Sequence, residues 1–115
     1  MTHYRFLVES RPVPGREVEY HQWYDGRHTR DLLQLPGARR AQRFEVVGTA
    51  GDDPVFFMIV DYETDDLPAL LAEIRERSSS GIMPSSDALE RASVKITILE
   101  ARAPIDMGSG GASAG

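Results

Sequence analysis

Apolar and polar residues alternate with a period of two along several stretches of the chain. Residues 3–10, 38–47 and 93–102 follow this pattern, which is typical of strands with one buried face. Residues 55–62 also have strand composition, but their first six residues are apolar, so both faces of this strand need covering. The loop at 48–54 is rich in turn residues and predicts an antiparallel hairpin between the second and third strands.

Two other stretches have helical spacing. If each residue of segment 16–37 turns by about 100°, six residues share a sector about 120° wide that should pack on the sheet. They are Tyr20, Tyr24, His28, Asp31, Leu32 and Leu35. Trp23 falls on the opposite flank of this helix, and Gly26 should loosen it locally. A second helix should begin at an N-cap formed by Asp65 or Asp66. Its predicted buried stripe is Leu67, Leu70, Leu71 and Ile74.

The resulting order, β-α-β-β-α-β, predicts an α+β fold of the ferredoxin-like type. In this fold both helices cover one face of a four-stranded antiparallel sheet. Residues 1–104 should form one domain, with a further short helix over 87–91, and residues 105–115 should form a flexible tail without a core-forming pattern. The opposite sheet face would expose apolar side chains, so we expect a homodimer joined through that face.

Composition narrows the functional classes. The 115 residues are 41% apolar, carry a net charge of -5 and include no cysteine, which excludes thiolate chemistry and disulfides. Nucleic-acid binding is not expected, because it needs a basic face. No membrane partner is expected either, since no apolar segment approaches the roughly 20 residues that span a bilayer. Without a signal sequence, a cytoplasmic location is the default expectation.

The sheet-facing side of the first helix concentrates groups that can carry chemistry. An imidazole titrates near neutral pH, so His28 can act as an acid or base, and Asp31, one turn later, can orient it. Tyr20 and Tyr24 can offer hydroxyl groups and aromatic rings to a ligand. Arg43, on the neighbouring strand, can pair with a carboxylate. His28 and Asp31 are therefore the predicted catalytic residues, and Tyr20, Tyr24 and Arg43 the predicted substrate-binding residues.

Structural roles are equally compatible with several of these residues. A histidine on an apolar helix face is more often a packed core residue than a catalytic one. Asp31 and Arg43 could each belong to a surface ion pair. Trp23 is interpreted as packing against the second helix or a dimer partner, and is left out of the predicted site.

A metal ion and other cofactors are not predicted. His21, Asp25 and His28 could meet a cation on one helical face, but a complete site needs further donors and no familiar metal motif has this spacing. Phosphate-binding loops, nucleophile elbows and dinucleotide fingerprints are absent from the sequence.

Part of the sequence resembles a known family motif. The matching residues are Trp23-Tyr24, His28, Asp31, Leu35-Pro36-Gly37 and Ala41-Gln42-Arg43-Phe44. They resemble the WY…H…D…PG…RF pattern of EthD-like members of the dimeric α+β barrel superfamily, which is related to methylmuconolactone isomerases. The resemblance spans roughly residues 4–102 and implies a ferredoxin-like protomer, a homodimer and a pocket between helices and sheet. Thr29-Arg30 departs from the pattern, because relatives often have an apolar residue followed by proline there.

Two functions are compatible with these features. The first is a small cofactor-independent enzyme that isomerises, cyclises or oxygenates an aromatic, lactone or polyketide-like compound, with His28 as general acid/base. The second is a non-catalytic dimeric protein that holds a small molecule or haem in the same pocket. A shared fold does not choose between them.

Overall fold

A computed structural model describes residues 1–49, 51 and 53–107 of the chain. Its four strands are β1 (Thr2–Ser10), β2 (Ala38–Glu45), β3 (Phe56–Thr64) and β4 (Lys95–Glu100). They form one antiparallel sheet with the strand order β2-β3-β1-β4. The predicted α+β, ferredoxin-like fold is therefore confirmed.

The first helical segment has three parts. Helix α1 spans Glu17–Trp23, a π-helical turn follows over Tyr24–His28, and helix α2 spans Thr29–Leu33. The local widening confirms the loosening expected at Gly26, whose missing side chain makes the regular α-helix less favourable there.

The second helical segment is a single regular helix. Helix α3 spans Leu67–Ser80 and is capped by Asp66, whose Oδ1 accepts a hydrogen bond from the Ala69 N–H at 3.0 Å. It ends at Gly81, which has a φ of 85°. Leu70 is buried, and the other predicted stripe residues pack against the core.

Strand alternation separates an inner sheet face, under the helices, from an outer face. Phe6 pairs with Val60 on one side and with Ile98 on the other, which aligns the inner-facing positions of three strands. The core lies between this inner face and the helices, and its largest fully buried side chains include Tyr20, Tyr62 and Met58.

The outer face carries apolar groups and ion pairs. Phe57 and Ile59 are half-buried there, whereas Phe44 and Leu99 are exposed. Asp61 lies on the same face of β3, and its two carboxylate oxygens accept hydrogen bonds of 2.8 and 3.1 Å from the Arg5 guanidinium. The third strand is apolar on both faces, as its sequence predicted, and only the inner face is covered by helices.

The connection from α2 to β2 makes a close backbone contact with the sheet. The Gly37 carbonyl accepts a hydrogen bond from the Glu63 N–H at 2.9 Å, and Gly37 itself has a φ of 82°. A Cβ at this position would overlap the Glu63 carbonyl oxygen. Glycine is required here for two reasons, the positive φ and the lack of space.

The short helix predicted over residues 87–91 is wrong. A 3₁₀ turn at Arg91–Ser93 replaces it, and Leu89 instead forms a bridge with Pro12. The Val13 N–H donates to the Ala88 carbonyl at 2.7 Å, and the Glu90 N–H donates to the Arg11 carbonyl at 3.0 Å. These hydrogen bonds to the β1–α1 connection use the backbone groups that a helix would need.

The end of the chain was predicted to be a tail. Residues 105–107 are exposed and lie outside any helix or strand. The rest of that predicted tail, residues 108–115, lies outside the described residues.

Candidate functional site

A cavity of about 410 Å³ lies between the helices and the inner face of the sheet. This volume is within the range of small-molecule sites, roughly 300–1,000 Å³. The wall is mostly apolar and comes from the sheet, from the helices and from the segment between α3 and β4. Its residues include Phe6, Met58, Val60, Tyr62, Ile96 and Ile98 from the sheet, and Leu32, Leu71, Ile74 and Met83 from the rest.

The π-helical turn brings two aromatic groups of the cavity wall together. The Trp23 indole stacks on the His28 imidazole, with ring centroids 4.4 Å apart and planes at 17°. Residues five apart lie on different faces of an α-helix, but the wider π turn places them nearly one above the other. The Tyr24 ring meets the same imidazole edge-on, at 5.4 Å. Gly26 lies within this turn and faces open space.

The imidazole of His28 lies in a dry environment. Its Nδ1 atom is buried and has no hydrogen-bond partner among the described residues. Burial lowers the pKa of His28 to about 4, although the negative charge of Asp31 acts in the opposite direction. The ring is therefore neutral at physiological pH and can accept a proton.

Three aromatic residues of the wall have their polar atoms occupied. The Trp23 Nε1–H donates to the Pro84 carbonyl at 3.0 Å, which ties the loop after α3 to the first helix. The Tyr62 hydroxyl donates to the Leu32 carbonyl at 3.4 Å, and the Tyr24 hydroxyl lies 3.3 Å from Ser10 Oγ. These side chains therefore present mainly aromatic surface to the cavity.

Three of the five predicted site residues, Tyr20, Asp31 and Arg43, lie away from the cavity wall. Tyr20 is fully buried, and its hydroxyl lies 2.6 Å from Ser10 Oγ. Burial raises the pKa of Tyr20 to about 12, so the phenol stays protonated. The Asp31 carboxylate accepts a hydrogen bond from Arg27 Nε at 2.9 Å, in an ion pair one turn apart. Asp31 thus acts on His28 through its charge at a distance.

Arg43 belongs to a separate cluster on the other side of the first helix. Its Nη1 lies 3.1 Å from His21 Nδ1 and donates to Asp25 Oδ1 at 3.1 Å. The guanidinium carbon stands 4.5 Å from the centre of the Tyr24 ring, on which it packs. Burial and the Arg43 charge lower the pKa of His21. His21 and Asp25 therefore contact Arg43, whereas His28 faces the cavity.

Of the five predicted site residues, Tyr24 and His28 line the cavity. Trp23, which the helical spacing places on the opposite flank and outside the predicted site, also lines it. Gly26 is the sequence signal for this position of Trp23. A glycine inside a helix favours a widened turn, and in such a turn the 100° spacing that assigns residues to a helix face no longer applies. Arg91 was missed as well, and it too lines the cavity.

No group of three acidic or histidine side chains in residues 1–49, 51 and 53–107 is arranged to hold a metal ion. Across the same residues, every helix is too short or too polar to cross a bilayer.

Comparison with known proteins identifies related folds. No protein-family model matches the sequence, and no curated protein matches it. Among solved structures, an ethyl tert-butyl ether D (EthD) family protein from Bacillus halodurans is similar, with a TM-score of 0.57 and 20% identity. The match covers 89% of this chain and 100% of that one.

Two further structures have the same fold. A candidate monooxygenase from Shewanella loihica has a TM-score of 0.55 and 14% identity, over 90% of this chain and 99% of its own. A monooxygenase from Streptomyces coelicolor, from the gene ActVA-Orf6 and in complex with nanaomycin D, has a TM-score of 0.51 and 13% identity, over 90% and 91%. At these identities the similarity establishes the fold: this chain has the ferredoxin-like α+β architecture of an EthD family protein and of the ActVA-Orf6 monooxygenase.

Proposed function

We propose that the chain is a small cofactor-independent enzyme that binds an apolar, aromatic compound between its helices and sheet. The observation that carries this proposal is the apolar cavity with a neutral histidine, stacked on an indole, in its wall. The ligand is an aromatic, lactone or polyketide-like molecule, and the reaction is an isomerisation, cyclisation or oxygenation that begins with loss of a proton. The nanaomycin D complex of the Streptomyces coelicolor protein supports this class of ligand for the fold.

His28 acts as the general base in this proposal. The neutral imidazole accepts a proton from an acidic C–H or O–H group of the bound compound, in a site where apolar walls exclude water. Trp23 covers one face of the ring and so limits its orientation. The negative charge of Asp31 stabilises the protonated imidazole that forms. This charge acts to raise the His28 pKa, whereas burial acts to lower it. Tyr24 contributes aromatic surface.

Proton abstraction can be measured without knowing the natural substrate. A bicyclic ketone such as 2-tetralone has acidic C–H groups, whose exchange in D₂O is followed by proton NMR. We expect the wild-type protein to accelerate this exchange, and the His28→Gln substitution to reduce the protein-dependent rate about 100-fold. The His21→Gln substitution, outside the cavity, is the matched control and should leave the rate unchanged.

The pH dependence of the same reaction follows from the lowered pKa. A general base works in its neutral form, so the rate should stay level across roughly pD 5 to 8 and fall only as the pD drops through about 4. An unperturbed histidine would lose activity near 6.5. If ketone binding quenches Trp23 emission but exchange is equal in wild-type and His28→Gln proteins, His28 is not the base.

A second candidate function is non-catalytic binding in the same cavity. The observation in its favour is the Arg27–Asp31 ion pair, which leaves the imidazole without a hydrogen-bonded carboxylate partner. Catalytic histidines are commonly oriented by such a partner. Ligand binding without any His28-dependent exchange would support this second function.

We propose in addition that two chains associate through the outer sheet face. The half-buried Phe57 and Ile59 and the exposed Phe44 and Leu99 form an apolar surface of the kind that marks interfaces. Sedimentation velocity at about 10 µM, within the usual range of specific dimers, should give twice the 12.8 kDa protomer mass.

The Ile59→Asp substitution should shift this species to the protomer mass, because it would bury an unpaired charge in the interface. Val18→Asp, at an exposed apolar position of α1, is the control and should remain dimeric. A wild-type protein that sediments as the protomer would contradict the proposed dimer.

A further inference from the structure

The cavity is apolar inside and carries its charge at the mouth. The deepest part of the wall consists of buried side chains such as Phe6, Met58 and Val60. At the other end Ser78, Ile96 and Arg91 are exposed. Among the described lining residues, Arg91 is the only one with a formal charge at neutral pH, since the imidazole in the wall is neutral.

The charge of Arg91 is not neutralised within the part of the chain that the structure describes. No carboxylate there forms an ion pair with its guanidinium, whereas nine other basic groups have such a partner. The adjacent Glu90 does not line the cavity. A ligand in the cavity would therefore meet an available cation at one end only.

The backbone that carries Arg91 is fixed by several hydrogen bonds. The Glu90 N–H donates to the Arg11 carbonyl at 3.0 Å, and the Arg11 N–H donates to Ser93 Oγ at 2.9 Å. The Ser93 N–H donates in turn to the Glu90 carbonyl at 3.0 Å. A guanidinium on a fixed backbone loses less freedom on binding than one on a mobile loop, which favours affinity.

We infer that the cavity selects amphiphilic anions: compounds with an aromatic or alicyclic body that fills the apolar interior, and one carboxylate, sulfonate or phenolate that pairs with Arg91 at the mouth. This inference rests on the proposed small-molecule function of the cavity. It names the ligand class that the cavity prefers, and it assigns Arg91 as the residue that determines that preference.

The chemistry of Arg91 favours this ligand class. A planar guanidinium can donate two parallel hydrogen bonds to an oxyanion, and such charge-assisted bonds are the stronger kind. The net charge of -5 on the whole chain opposes anion binding. A preference for an anion over its neutral analogue therefore needs a local attraction that exceeds this repulsion, and Arg91 is the cation that lines the cavity.

The test uses two probes that share a skeleton and differ by one anionic group. They are 8-anilinonaphthalene-1-sulfonate, which is anionic, and N-phenyl-1-naphthylamine, which is neutral. Fluorescence titration should show that Arg91→Gln weakens binding of the sulfonate roughly tenfold, the scale of one hydrogen bond to a charged group. Binding of the neutral amine should change less than about twofold, since its contacts are apolar.

Arg75→Gln is the matched control, because Arg75 is exposed on α3 and does not line the cavity. It should change the affinity of neither probe. If the neutral amine binds and Arg91→Gln leaves the ratio of the two affinities unchanged, the anion preference is overturned and the cavity function stands. If neither probe binds, the proposed cavity function itself fails, and this inference with it.

Discussion

The Gly37→Ala substitution should destabilise the protein by about 2–3 kcal/mol, a large part of the stability of a domain of this size. Alanine at a φ of 82° costs roughly 1–2 kcal/mol on its own. Its Cβ would also overlap the Glu63 carbonyl oxygen, so the backbone must move. That movement would break the 2.9 Å hydrogen bond from the Glu63 N–H to Gly37, which adds about 1 kcal/mol.

Gly48 provides a matched control for this prediction. Its φ is 87°, close to that of Gly37, but apart from its chain neighbours no atom of the described residues lies within 4 Å of the place where a Cβ would stand. Gly48→Ala should therefore show the backbone strain alone, about 1–2 kcal/mol. Urea denaturation of both variants measures the difference. Equal losses in the two variants would show that the contact between Gly37 and the sheet edge does not constrain the fold.

The fold was predictable because its determinants are local and repeated. Apolar and polar residues alternate along β1 and β4, which is enough to identify them as strands. Asp66 and Gly81 mark the two ends of α3. The segment near Leu89 was not predictable in the same way. Its capping serines favour a helix, but its hydrogen bonds go to Arg11 and Val13, far away in the sequence. Such long-range pairing overrides local preference.

The candidate site was predictable only in part, for a geometric reason. A regular 100° spacing correctly placed Tyr24 and His28 toward the sheet, and both line the cavity. The same spacing placed Trp23 on a different flank from His28, because it did not include the π-helical turn over Tyr24–His28, which brings His28 round to Trp23. The widened turn therefore explains the error at Trp23.

Charged residues were the least predictable part of the site. Asp31 does not line the cavity, and its carboxylate pairs with Arg27, four residues before it. Arg43 contacts His21 and Asp25 of the first helical segment. A sequence shows that such groups share a side of the fold, whereas their partners depend on side-chain geometry within a few ångströms.

Obstruction of the cavity should have the largest effect on ligand binding. Ile74 and Ser78 both line it from α3. Phenylalanine at both positions should occupy the space that an aromatic ring would fill. The probe can then no longer bury one of its rings, which reduces its binding free energy by about 3 kcal/mol. Its affinity, measured for N-phenyl-1-naphthylamine, should therefore fall about 100-fold. The control carries phenylalanine at Ala72 and Ser79, which lie on α3 outside the cavity.

Trp23 makes this experiment direct, because it is the only tryptophan and it lies in the cavity wall. Its emission overlaps the absorption of the naphthylamine, so a bound probe quenches it by energy transfer. Titration should give saturable quenching with one probe per chain, unchanged in the Ala72/Ser79 control and lost in the Ile74/Ser78 variant. Quenching that is absent, or that persists equally in both variants, would contradict a ligand site between the helices and the sheet.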